Sequence, residues 1–222
     1  MKFFDDQKKN VRWWNRNMCF LATIIVVAIN FGIFYLVGSD WNAKPVITNW
    51  NDMLSFSNLV NNFLSAFDHL SLEQLILNMV CFFMTGIYLE RRIGTINLLL
   101  MVILFAFIGE NIVGANHFGG WSVGFSCVNY ALYGYIIIDF IFMLRKESSS
   151  VANIIYGVFM LIFIYVACCY KAGGIYPFTL ELDYLPIDLI YNMGHYTGAI
   201  VGLILGTIIK VSKLQAISAN ER

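Results

Sequence analysis

Six apolar stretches dominate the sequence, each close to the about 20 residues that cross a bilayer's hydrocarbon core. Cys19 to Gly38 and Val151 to Tyr170 carry no charge, and Leu189 to Ile209 carries none but holds His195. Leu70 to Leu89, Ile96 to Val113 and Ser126 to Leu144 carry one acid each: Glu73, Glu110 and Asp139. In lipid a backbone must satisfy its own hydrogen bonds, so these stretches are expected to be helices. The period-two alternation of a membrane barrel is absent from them. The expected fold is an all-α polytopic membrane protein built as a six-transmembrane-helix bundle. Composition agrees, since 13% of the 222 residues are charged, against about 25% in soluble domains. That excludes a water-soluble globule. Fourteen basic residues balance fourteen acidic ones with no free-standing basic block, so no nucleic-acid partner is expected. Five cysteines, an odd number, argue against a disulfide scaffold.

Charge outside the spans sets the orientation. Lys2, Lys8, Lys9, Arg12, Arg16, Arg91, Arg92, Arg145, Lys146, Lys210, Lys213 and Arg222 fall on one side, and only Lys44 and Lys171 on the other. The positive-inside rule then puts both termini in the cytoplasm. The chain divides into a cytoplasmic tail over 1–18, a membrane domain over 19–209 and a second cytoplasmic tail over 210–222. Trp13 and Trp14 beside Arg12 and Arg16 read as an interfacial anchor. The apolar run that follows is too long for a secretory signal and lacks a small-residue cleavage site. The loop from Ser39 to Asp68, with Trp41, Trp50 and Phe56, is expected to lie partly in the interface. The loop from Lys171 to Asp188 holds Gly173, Gly174, Pro177 and Pro186, and suits a mobile cap that dips Ile175 and Phe178 into a cavity mouth.

Polar groups inside a bilayer are costly, so they mark candidate chemistry. Ser126 follows a Gly-rich, uncharged loop that ends in Gly124 and Phe125, and it opens the fourth span. It reads either as a helix N-cap or as a nucleophile at a helix N-terminus, where free N–H groups favour an oxyanion. His195 sits on a stripe in which Gly194, Gly198, Gly202 and Gly206 recur every four residues. Such a face lets another backbone approach closely. The fourth span offers its own stripe of Ser126, Tyr130 and Gly134, and packing the two faces would bring Ser126 to His195. Asn78 and Gln74 share one face of the second span and can aim amide donors at one point. Gln74 also completes a capping box with Ser71.

Other polar groups have local uses. Asp139 is expected to pair with Arg145 or Lys146, and Glu90 with Arg91 and Arg92 in a loop. Glu110 is placed near the outer interface, His117 at the loop surface, and His69 as an ordering residue for the loop before the second span. Cys168 and Cys169 are read as apolar fillers.

Taken in order, the motifs resemble those of the rhomboid family of intramembrane serine proteases. They are Ala66-Phe67-Asp68-His69, Asn78-Met79, Tyr88-Leu89-Glu90-Arg91-Arg92-Ile93-Gly94, Gly124-Phe125-Ser126, Tyr130 to Tyr135, and Gly194-His195-Tyr196-Thr197-Gly198 with Gly202. The resemblance implies Ser126 as nucleophile, His195 as general base and then acid, and Tyr130 stacked on the His195 ring. Asn78, Gln74 and the Ser126 N–H would form an oxyanion hole beside Gly124. It implies single-span membrane proteins as substrates, the lipid bilayer as partner, and no metal or organic cofactor. The expected setting is a bacterial cytoplasmic membrane, with the oligomeric state left open. Three positions depart from the family pattern: Cys127 stands where Gly is usual, Gln74 where His is usual, and Trp50-Asn51 where a Trp-Arg pair is usual. These departures keep open a proteolytically inactive rhomboid-like protein that binds client transmembrane helices. A transporter or channel is opposed by the absence of an internal repeat and of charge along the midplane.

Overall fold

The structure is a computed structural model and describes residues 20–37, 52, 54–116, 123–145, 150–171, 174–175 and 193–220. The Trp13–Trp14 anchor, Trp41 and Trp50, His117, Lys146, and Phe178 with most of its loop lie outside the described residues. Among those described there are seven helices, and five of them are long and apolar enough to cross a membrane. Helix α1 (Leu21–Val37) has 17 residues, about 25 Å of rise and so at the short end for a span.

Helix α1 begins where a carboxylate from elsewhere in the chain meets it. The backbone N–H groups of Ala22 and Thr23 donate to Glu90 at 2.9 and 3.0 Å, and the Thr23 hydroxyl does so at 2.7 Å. A fourth bond comes from the Thr95 hydroxyl at 2.7 Å. Glu90 is buried and caps the orphan amides at the positive end of α1. The loop ion pair expected for Glu90 is therefore replaced by a cap, and Arg91 lies over the Phe20 ring instead.

The loop after α1 contains an unexpected short helix, α2 (Phe56–Ser65), whose N-cap Ser55 accepts from the Asn58 N–H. It follows the spacing of Phe56, Leu59, Val60, Phe63 and Leu64. An amide bridge fixes it: Asn62 donates to Asn111 at 3.1 Å, and Asn111 donates to the Leu59 carbonyl at 3.3 Å.

Helix α3 (Leu72–Ile93) starts two residues later than expected because Ser71 caps it. It runs four residues past Leu89 and stops at Gly94, whose φ of 87° favours glycine. Helix α4 (Thr95–Asn116) follows at once, and α5 (Ser126–Leu144) keeps the expected bounds. Helix α6 (Val151–Cys169) leads into a small antiparallel pairing of β1 (Tyr170–Lys171) with β2 (Gly174–Ile175), the one non-helical element described. Helix α7 (Met193–Asn220) continues past Ile209 through Lys210.

Helix α5 is the most buried of the five long apolar helices and α6 the least. The most extensive helix pair is α5 with α7. A side chain added at Gly198 or Gly202 would strike the carbonyl oxygens of Cys127 or Ala131, and one at Gly134 would strike the Ala199 carbonyl. The two small-residue faces mesh backbone to backbone, as their spacing predicts. Ile200, Ile204 and Ile208 occupy the opposite face of α7 and are 55%, 55% and 54% exposed, which suits contact with lipid rather than water.

Candidate active site

Ser126 is the first residue of α5, and Phe125 is the N-cap, with no side-chain capping bond. The N-cap reading of Ser126 is thus displaced by one position. Phe125 is fully buried, 5.1 Å edge-on from Phe82 and 5.7 Å from Phe67. The Phe125 side chain carries no polar group, so it leaves the first N–H groups of the helix to other partners.

The turn before Ser126 is clamped from three directions. The Gly124 N–H donates to the Ser65 carbonyl at 3.1 Å. The Phe125 N–H donates to His69 Nε2 at 3.4 Å. The Gln74 side-chain amide donates to the Val123 carbonyl at 3.1 Å. His69 is 1% exposed, and burial pushes its imidazole down to about 4, so it stays neutral and able to accept. His69 was expected to order the loop before the second span, and its imidazole instead holds the turn before Ser126.

Gly124 has φ +111°, a conformation that disfavours any side chain. A Cβ there would stand 2.7 Å from the Gln74 amide nitrogen and 3.4 Å from that of Asn78. The two side-chain amides picked out by sequence therefore converge over the backbone two residues before Ser126. Gln74 also serves the helix start: its N–H donates to the Ser71 hydroxyl at 3.1 Å, and its side-chain carbonyl accepts from the Leu70 N–H at 2.8 Å. The capping reading of Gln74 is thus found, and its side-chain nitrogen is spent on the Val123 carbonyl.

One turn below Ser126, the Tyr130 ring lies parallel to that of His195, with centroids 4.3 Å apart and planes 6° from coplanar. Tyr130 is tied in turn to the Cys168 thiol of α6. The close approach of Gly198 to Cys127 sets this register, since it lies three residues beyond His195 and one beyond Ser126. Cys127 does not crowd the Ser126 turn. Its side chain points to Gly109 on α4, where a methyl would stand 2.6 Å from the sulfur, and it is 1% exposed. Glu110 is buried beside it.

A family model, Rhomboid domain, matches residues 57–212, well over half of the chain. The chain belongs to the rhomboid family. No curated protein matches it at a significant level. The rhomboid domain and the apolar helices together make this a multi-pass integral membrane protein. Most family members are serine intramembrane proteases, and inactive members exist.

Asp139 departs from expectation. Its partners are Arg92 of α3, at 2.5 Å, and Lys210 of α7, while the expected Lys146 lies outside the described residues. Arg145 instead lies over the Phe142 ring. The carboxylate faces the helices packed around α5, and an ion that is 4% exposed requires partners from them. Sequence reasoning also missed Asn129, a buried amide one turn from Ser126 that donates to both the carbonyl and the side-chain oxygen of Asn78. Its signal was available as one more polar residue, beside Ser126 and Asp139, in a mostly apolar span.

Proposed function

We propose that this protein is an intramembrane serine endopeptidase that cuts single-span membrane proteins, with six spans and both termini in the cytoplasm of a bacterial cell. Ser126 is the nucleophile: its Oγ attacks the scissile carbonyl while a ring nitrogen of His195 takes the hydroxyl proton. The resulting oxyanion is held by the Asn78 amide and the Ser126 N–H, with Gln74 in support beside Gly124. The C–N bond then breaks, and His195 returns the proton to the leaving amine. Water, deprotonated by His195, hydrolyses the acyl-enzyme and restores Ser126. Tyr130 holds the imidazole plane.

One observation carries this reading: Tyr130 is stacked on His195, one turn from a serine at the first position of a helix. A fluorophosphonate probe added to the protein in detergent tests it. Labelling of the wild type, with loss in Ser126→Ala and His195→Ala, is expected. An inert wild type that unfolds cooperatively and leaves a panel of single-span substrates intact would overturn it.

A second reading rests on Gln74, whose amide is already bonded to Val123. Here the protein binds client transmembrane helices without cutting them. Client co-purification that survives Ser126→Ala, together with an inert wild type, selects this reading.

A further inference from the structure

Asn129 is buried to 2% exposure in the helix that carries Ser126, and a polar group there is costly unless it is bonded. Its side-chain nitrogen donates to the Asn78 backbone carbonyl at 3.0 Å and to the Asn78 side-chain oxygen at 3.3 Å. The first bond settles the second. A backbone carbonyl can only accept, so the Asn129 nitrogen, and not its oxygen, must face it. That nitrogen then meets the Asn78 side chain, which must present its own oxygen. The Asn78 nitrogen is left turned toward Gly124 and the start of α5.

We infer that Asn129 is a positioning residue: anchored on a backbone carbonyl, it locks the flip state of the Asn78 amide so that the donor faces the oxyanion site. An Asn78 side chain without this lock can rotate by half a turn at small steric cost and present an acceptor to the oxyanion. This inference rests on the protease reading for its catalytic meaning, but the lock itself is a geometric statement about two amides. The Asn129 side-chain oxygen has no hydrogen-bond partner among the described residues. The nitrogen is therefore the bonded end, and it holds Asn78.

The test combines kinetics with a signal that needs no activity. Asn129→Leu keeps the shape and removes the donor. It is expected to lower kcat on a single-span substrate by about 10-fold to 100-fold, the scale of a misplaced group near a reacting centre, with KM within about 2-fold. Asn129→Gln, which restores an amide donor, recovers part of that loss. In an Asn78→Ala background, Asn129→Leu adds nothing further, because its action passes through Asn78. Losses that multiply in the double variant, or that follow a fall in unfolding midpoint, overturn the inference in favour of a packing role. The second measurement is the side-chain amide resonance of Asn78 in ¹⁵N-asparagine-labelled protein, assigned by its loss in Asn78→Asp. It is expected to shift and broaden in Asn129→Leu, and an unchanged resonance overturns the lock. An inert wild type sinks the protease reading alone, since the resonance still decides whether Asn129 holds Asn78.

Discussion

Helix α5 is tied to α3 and α7 at both ends, by opposite chemistries. At the Ser126 end the ties are neutral: the Asn129–Asn78 amides to α3 and the Tyr130–His195 stack to α7. At the other end they are ionic, with Asp139 joined to Arg92 of α3 and Lys210 of α7. On the proposed protease reading the difference has a reason: a site that must stabilise a transient negative charge works best with preorganised dipoles aimed at the place where that charge develops. An end that only has to hold can use full charges, provided each is paired and has long side chains that reach water. Between the two, the meshed glycines keep α7 close enough to α5 for its ties at both ends to form.

The comparison breaks most completely at its middle. Gly202→Leu drives a side chain into the Ala131 carbonyl with no room to yield, and the expected cost exceeds about 4 kcal/mol. The measurement is the unfolding midpoint in micelles, and probe labelling should vanish with it.

The neutral end is sensitive to acid. His69 is neutral in the fold, with its imidazole held at about 4, while the unfolded chain binds that proton near 6.5. Its contribution to stability is complete above about pH 6.5 and is lost as pH falls toward about 4, amounting to about 3 kcal/mol over that interval. Denaturation curves of wild type and His69→Gln across this range should diverge with that sign. Parallel curves would show that the bond from Phe125 does not need a neutral imidazole.

At the ionic end, Asp139→Asn strands Arg92 and Lys210, but both are partly exposed, at 23% and 19%. The expected loss is therefore about 2 kcal/mol rather than the larger cost of a sealed pair. Probe labelling per folded molecule should stay within about 2-fold, because a penalty of stability alone does not touch the reacting groups. A larger fall would show that the two ends are coupled. The smallest effect is expected at the stack. Tyr130→Leu should slow labelling about 5-fold, the worth of about 1 kcal/mol of ring contact, while Tyr130→Phe keeps the ring and most of the rate.

Much of the site was readable before any coordinates, for reasons that differ by residue. Gly198, Gly202 and Gly134 announce a close seam because four-residue spacing maps directly onto a helix face. Ser126, Asn78 and His195 stand out because polar groups are rare in apolar spans. Helix α2 was passed over because its polar asparagines, including Asn62, read as loop until Asn111 is seen to bond one of them. Asp139 and Glu90 have oppositely charged neighbours in sequence, but their partners lie far along the chain. Proximity in sequence is a poor guide for a carboxylate that must be satisfied in a low-dielectric interior.

The sequence alone determined the helical character, the apolar spans and the glycine seam, because hydrophobic length and residue period act locally along the chain. Only the tertiary structure decided which groups meet: that Glu90 caps α1, that Asp139 joins three helices, and that Asn129 reaches Asn78. Those pairings depend on the angle and register at which helices cross. Packing at every contact sets these jointly, and no single stretch of sequence encodes them.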